Sequence, residues 1–580
     1  MSVTRREGAH VVGLWLVLAT LRWLAALPVR QPRIFRDELL HWQLAQSFVT
    51  HRPFLVSGEV VDYPALLYPA VLSLGLHTRD AHFAFQLAHG LNTLMVSAVV
   101  FFAYALGREL SDHRDGLAVA ALAGLAPGGG YSVFIMEENL YFPLFVASCW
   151  LCWRVLVDGR ARDAAWCTLA LGLTYFAKPL AVPLVAAYAG VVLLWGATEL
   201  RSTERGHRRF AALAVRLAPV LLFGAMLLVR HALTTRGVDE SQSGAVLGRF
   251  YTDELGGALL PPLKPMIKVM ISLSIALAFG VAIAPAMALL GGWRERSADR
   301  RRLWLAVLAI CVAGVYVLAA ARHTMVINRD PKIHERYLFA VGPLFLALFL
   351  TARGPSFGVA QIAAACVALG VVVARIADTL LPANTWVNAP SLTLSWLVYS
   401  KTHSPVAVAL LMAAAAAAVC WCACSRERMR GALRFGTLAA TLLVLNAAWY
   451  AFVYHIQGNL APLERTLGEI ETLAPADARI TVVVPADAEP MSSLSYHGKF
   501  WLNERLTVYW TGATDPPWYI DARGDASEAA ARTRATHLVG LPGVEALCPN
   551  GVALPTSTAG DGRDVRIVAV PSGGCAARSR

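Results

Sequence analysis

Apolar residues in this chain come in blocks of about 18–24 separated by short polar segments, the length a helix needs to cross a bilayer. Blocks near 11–29, 83–106, 117–135, 140–157, 164–177, 180–197, 211–229, 267–290, 303–321, 337–352, 357–374, 405–424 and 435–453 predict about 13 spans. Segments 201–209, 294–302 and 426–434 are dense in arginine. Such an excess marks cytoplasmic loops. It sets the N-terminus inside and leaves 30–82, 230–266, 322–336 and 375–404 as outer loops. Within the first of these, Glu38 to Val49 has helical periodicity, with Leu39, Trp42 and Phe48 apolar. Beyond residue 453 the pattern changes. Ile480–Val484, Leu538–Leu541 and Val565–Val570 read as strands, and Asp525–Ala535 as a helix. The expected fold is mainly α: a polytopic helix bundle over 1–453, followed by a small extracytoplasmic α/β domain over 454–580.

Composition supports this reading. The chain is 57% hydrophobic and 16% charged, against roughly 45–50% and about 25% for soluble domains, which excludes a purely soluble enzyme. The net charge of +12 lies mostly in the inner loops, so it orients the chain and implies no nucleic-acid partner. Arg5 and Arg6 precede the first span as in a signal peptide, but no A-x-A cleavage site follows, and the span reads as a retained anchor. Ten cysteines in 580 residues make no disulfide scaffold. Cys420, Cys422 and Cys424 would point in different directions on a helix, against a metal site. Cys548 and Cys575 fall on the oxidising side, either as a disulfide or as two unpaired thiols. No repeat, P-loop or GxGxxG is present, and Gly128-Gly129-Gly130 beside Pro127 reads as a kink or helix end.

The chemistry must then lie in charged residues near membrane depth, which are costly to place there. Asp37 and Glu38 open the first outer loop; they are either a reactive pair or acids that cap a helix N-terminus. Asp62, before Tyr63-Pro64, could meet a divalent cation or simply sit in a turn. Glu137 and Glu138 occupy a tight outer turn, as does Lys178 before Pro179. His334, Glu335, Arg336 and Tyr337 precede another span. Lys178 and Arg336 suit a phosphate, one as a point charge and the other as a fork. Snorkelling to the interface is the competing account of each base. These groups share one face.

In that order and on that face they resemble the GT-C fold membrane glycosyltransferases that use polyprenyl-phosphate sugars, especially the bacterial aminoarabinose transferases and the protein O-mannosyltransferases. The family's first-loop acidic motif is matched by Asp37-Glu38, which implies that Asp37 is the catalytic base. Its acidic residue ahead of Pro, metal-associated in some members, is matched by Asp62. Tyr63 stands beside it where lysine is common, as a candidate substrate contact. Glu137 and Glu138 match the acidic second outer loop, with Glu138 implied in catalysis and Glu137 in substrate binding. Lys178 matches the phosphate-binding lysine, and Arg336-Tyr337, with His334, the basic and aromatic pair before a late span.

The resemblance implies inverting transfer of a sugar from a polyprenyl-phosphate donor to an extracytoplasmic glycan, lipid or protein acceptor. A divalent cation is the one cofactor it suggests, and the implied location is a bacterial plasma membrane. A transporter or flippase for a lipid-linked precursor is the alternative; against it, the charges gather at one face and the two halves show no repeat. A non-catalytic scaffold is the third reading.

Overall fold

The computed structural model describes residues 4–32, 35–50, 55–56, 59–60, 63–78, 80–199, 206–234, 263–280, 299–327, 334–351, 359–381, 389–424, 430–459 and 461–474. In the C-terminal region it describes 477–484, 497, 499–501, 505–511, 522–523, 529, 533–540, 544–554, 557–558, 564–571 and 575.

The membrane half is built from α1 (Arg5–Ala26), α2 (Phe35–Thr50), α3 (Leu67–Leu72), α4 (Ala81–Ser97), α5 (Val99–Leu110), α6 (His113–Leu125), α7 (Glu138–Asp158), α8 (Ala161–Ala177) and α9 (Ala181–Glu199). It continues with α10 (Gly206–Thr234), α11 (Leu263–Gly280), α12 (Arg300–Ile327), α13 (Gly342–Thr351), α14 (Val359–Leu380), α15 (Thr393–Thr402), α16 (Pro405–Cys424) and α17 (Arg430–Asn459). A hairpin of β1 (Leu55–Val56) and β2 (Glu59–Val60) follows α2. Among the described residues eight helices are long and apolar enough to cross a membrane, and nine if one bent pair counts as a span. The pattern's count of 13 is therefore not reached. One reason is length: the 17 residues of α8 rise only about 25 Å. Another is the predicted span 117–135, which bends by 51° between α6 and a 3-10 turn over Pro127–Val133.

That bend depends on its glycines. A Cβ on Gly128 would fall inside the van der Waals envelope of the Phe339 ring, and one on Gly129 would collide with the Arg22 guanidinium. Arg22, buried on α1, donates to Ser97 Oγ at 2.7 Å and to the Gly124 carbonyl. It is neither snorkelling nor part of the charged face; it ties α1 to the bend. Gly128→Ala is expected to cost about 1–3 kcal/mol through overpacking, read as a lower unfolding midpoint in detergent. An unchanged midpoint would show that Phe339 can move aside.

Beyond α17, α18 (Ala461–Leu473) leads into a sheet of β3 (Ile480–Val484), β4 (Leu506–Trp510), β5 (Ala522–Arg523), β6 (His537–Gly540), β7 (Val552–Ala553), β8 (Ser557–Thr558) and β9 (Asp564–Ala569). The strand order is β5-β4-β3-β6-β9-β7, with β8 also on β9. β5, β4, β3 and β6 run parallel, and β9 is antiparallel to β6. Buried β3 is an unbroken Ile-Thr-Val-Val-Val run, as a strand covered on both faces should be. Cys548 and Cys575 form a disulfide. The helix expected at 525–535 lies largely outside the described residues.

The sheet domain packs on the segment that joins α1 to α4. Phe500 stacks on Trp42 of α2 at 4.6 Å between centroids and meets Phe85 of α4 edge-on at 5.6 Å. Trp501 stacks on His82 at 4.4 Å and donates to Gln31 Oε1 at 2.7 Å. His497 Nε2 bonds the Pro32 carbonyl at 2.9 Å. α2 is thereby held from outside by residues far along the chain.

Candidate active site

The site is built on the turn that starts α7. Asn139 Nδ2 donates to the carbonyls of Tyr131, Phe134 and Met136, at 3.0–3.2 Å. Asn92 Nδ2 donates to Phe134 at 2.8 Å, and Tyr68 OH donates to Asn92 Oδ1 at 3.0 Å. These bonds satisfy backbone that the bend leaves out of a helix. They fix Glu137 and Glu138 at the N-terminal end of α7, where the helix dipole favours negative charge.

Both glutamates are buried and converge on Lys178, which ends α8. Lys178 Nζ lies 2.5 Å from Glu138 Oε1 and 3.1 Å from Glu137 Oε1. Burial lowers the lysine's pKa; Glu138 and Glu137 more than offset that and raise it. Burial likewise raises the Glu137 pKa, against the pull of Lys178. Tyr63 OH donates to Glu137 Oε2 at 2.7 Å. Tyr63 thus reaches the acid cluster from the segment between α2 and α3.

The adjacent acids of α2 separate, as a 100° step on a helix requires. Glu38 is fully buried and accepts the Ile135 N–H at 3.0 Å, so it faces the turn that leads into α7. Asp37 takes the other side: its Oδ2 accepts from Arg336 Nη1 at 2.7 Å, with the carboxylate 36% exposed. Burial works against that carboxylate, but Arg336, then His41 and Lys178, hold its pKa below the usual range. His41, one turn beyond Asp37, places Nε2 3.8 Å from Glu137 Oε2. Burial pushes its imidazole down to about 4, so at neutral pH it is uncharged.

Arg336 closes the ring from the segment after α12. Its Nε is 3.9 Å from Glu138 Oε1. The Tyr337 ring lies 5.1 Å from Lys178 Nζ and 5.3 Å from the Arg336 guanidinium, in reach of both cations. Tyr337 OH meets His323 Nε2 at 3.1 Å, and His334 stacks on Tyr337 at 5.5 Å. The sequence pattern singles out neither His41 nor His323. His41 carried a signal, its i,i+4 spacing from Asp37; His323 carried none, because its role depends on the fold placing it under Tyr337.

Glu335 points away from this ring. Its Oε2 accepts from Ser391 N at 3.1 Å and Ser391 Oγ at 2.7 Å, while buried Oε1 has no hydrogen-bond partner. Burial pushes the carboxyl up to about 8, so it stays protonated at neutral pH. The folded chain then holds this proton more tightly than the unfolded chain, whose ordinary value is 4.5. The stability it contributes is full below that value and is lost as pH rises through about 8. Glu335→Gln is expected to flatten the fall of the unfolding midpoint between about pH 5 and about pH 8. A slope equal to that of the parent protein would remove Glu335 as its source.

Asp62, the candidate metal ligand, lies outside the described residues. No group of three or more His, Cys, Asp or Glu side chains among the described residues could hold a metal ion. Glu137 and Glu138 are committed to Lys178, and Asp37 to Arg336. The described donors therefore do not fit a cation, and no step below is routed through one.

Residues 72–223 match the family model described as dolichyl-phosphate-mannose-protein mannosyltransferase. That stretch holds Glu137, Glu138 and Lys178. A solved structure of ArnT from Cupriavidus metallidurans, bound to undecaprenyl phosphate, is 14% identical, with 98% of this chain and 99% of that one covered and a TM-score of 0.51. The chain has the GT-C glycosyltransferase fold. The GT-C resemblance read from the motifs thus holds at the level of fold, and the chain is an integral membrane protein. The arabinosyltransferase EmbB from Mycobacterium smegmatis is also similar, at 16% identity over 78% of this chain and 40% of that one, with a TM-score of 0.42. No curated protein matches the chain.

Proposed function

We propose that this GT-C protein is an inverting membrane glycosyltransferase that moves a sugar from a polyprenyl-phosphate donor to a hydroxyl on the outer face. One observation carries the assignment: of the carboxylates at the site, Asp37 is open to solvent while Glu38, Glu137 and Glu138 are buried. A base must reach its substrate, and Asp37 can. The undecaprenyl phosphate named with the ArnT structure of similar fold supports the donor class.

In this reading Asp37 takes the proton of the acceptor hydroxyl as its oxygen bonds the anomeric carbon from the face opposite the phosphate. The bond from that carbon to the phosphate oxygen breaks, and polyprenyl phosphate leaves with the electron pair. Arg336 and Lys178 neutralise the charge that develops on it. Arg336 also sets the timing. Without donor it pairs with Asp37 and keeps it a weak base; a donor phosphate competes for the guanidinium, and Asp37 becomes more basic as the substrate seats. Glu137 and Glu138 hold Lys178 in place, with Tyr63 and His41 behind them, and Tyr337 and His334 flank the phosphate. Glu38 anchors α2 to the turn that leads into α7. Asp62 could add a divalent cation from the loop, a question for chelation of the working enzyme. The arginine-dense segments support a site facing away from the cytoplasm, and in this reading the membrane is a bacterial plasma membrane and the acceptor a glycan, lipid or protein.

The test is reconstitution of the full chain in vesicles with a radiolabelled polyprenyl-phosphate sugar. Label appearing on an acceptor supports transfer. Movement of unaltered donor between leaflets would make the protein a flippase, and neither result would leave it a scaffold.

A further inference from the structure

Away from the site, at the other end of the same helices, lies a cavity of about 590 Å³ between α1, α5, α7 and α12. α7 joins the two: it starts at Glu138 and reaches the cavity with Arg154 and Asp158. Its 21 residues rise about 30 Å, the thickness of the hydrocarbon core. The cavity therefore sits at the opposite membrane surface.

Its lining is divided. Arg108, Arg154, Arg160, Arg162 and Arg301, with Glu109 and Asp158 among them, form the charged part, and Val11, Val12 and Phe101 are among the apolar residues. The arginines are partly neutralised. Arg301 bonds Asp158 at 2.8 Å, Arg154 bonds Asp163 at 3.1 Å and faces Glu109 at 3.6 Å, and Arg108 bonds Glu7 at 3.0 Å. Five guanidinium groups thus meet four carboxylates, which leaves one positive charge over. The surplus lies at the rim: Arg160 is 61% exposed and 3.8 Å from Asp158, and Arg162 is also exposed. Arg154 Nε is buried with no hydrogen-bond partner. On the apolar side the wall continues along α1 through Val12 and Leu16, both exposed on the bundle surface.

We propose that this cavity binds a phosphate monoanion presented as the headgroup of a membrane phospholipid, with an acyl chain along Val12 and Leu16. One surplus charge matches one phosphodiester, and guanidinium groups suit its oxygens. An apolar wall that continues into the lipid-facing surface gives the chain a path that a free anion would not need. Basic pockets between helices at the cytoplasmic surface hold anionic headgroups in this way. The proposal needs only the membrane fold, so it stands or falls apart from the catalytic reading.

The test uses the full chain in nanodiscs, by native mass spectrometry and thermal unfolding, with phosphatidylglycerol, phosphatidylcholine or inorganic phosphate as probe. Phosphatidylglycerol is expected to be retained and to raise the midpoint more than phosphatidylcholine. An R160A/R162A double variant, altered only at exposed positions, is expected to bind it about tenfold more weakly with an unchanged midpoint in phosphatidylcholine. Equal protection by inorganic phosphate alone would keep the anion site and overturn the lipid. Equal binding of both lipids, or an unaffected double variant, would overturn the site itself. Sugar transfer by the double variant, assayed in detergent with short-chain donor, is expected to be unchanged, which keeps this failure distinct from failure of the catalytic assignment.

Discussion

An Asp37→Asn protein is expected to fold, insert and retain donor, yet transfer sugar about 10²–10⁴-fold more slowly, the range over which a positioned base acts. The amide keeps the shape and one acceptor oxygen for Arg336 but cannot take the acceptor's proton. Stability should change little, because the Asp37 carboxylate is 36% exposed and the amide oxygen still accepts from Arg336. Single-turnover transfer with saturating donor, beside an unfolding curve for each protein, measures both quantities. Near-normal turnover would remove Asp37 as the base and turn attention to Glu138. Collapse of the fold would mean that the Asp37–Arg336 pair is structural.

Lys178→Met should do the reverse and damage the protein itself. Met is close in size to Lys, so what is lost is charge. Glu137 and Glu138, both buried, would be left facing each other without their cation. Breaking a buried pair on one side costs about 3–5 kcal/mol, unless the acids take up protons. The single variant is therefore expected to have a much lower unfolding midpoint at neutral pH, partly restored on acidification as the carboxyls become neutral. Adding Glu138→Gln removes one of the two stranded carboxylates and should recover part of the midpoint. Transfer should stay low in the double variant, because the donor phosphate still lacks its lysine. Recovery of activity along with the fold would confine Lys178 to holding the acids in place.

Much of this was legible in the sequence because lipid makes patterns sharp. A charge at membrane depth needs a reason, so Asp37, Glu138, Lys178 and Arg336 stood out against apolar surroundings. The fold brings all four together. Less legible was the division of labour between Asp37 and Glu38, since neighbours in sequence cannot reveal which one meets the Ile135 N–H. The break in one expected span was hidden for a related reason. Hydropathy registers apolar residues at 117–135, but not the steric demands of Phe339 and Arg22 on Gly128 and Gly129, which bend the chain. His323 and Ser391 entered through tertiary contacts that no local spacing encodes.

The contact of Trp501 with Gln31 spans 470 positions, and it orders events during biogenesis. A ribosome must deliver all of the first 501 residues before the helix bearing Asp37 gains its cover of Phe500 and Trp501. Closing so long a loop carries little extra entropy once the intervening bundle has formed, but it has to come late. The helix that bears Asp37 is thus covered after the helices around it have been inserted. An unfinished or clipped chain would hold a membrane bundle with its acid-bearing helix uncovered.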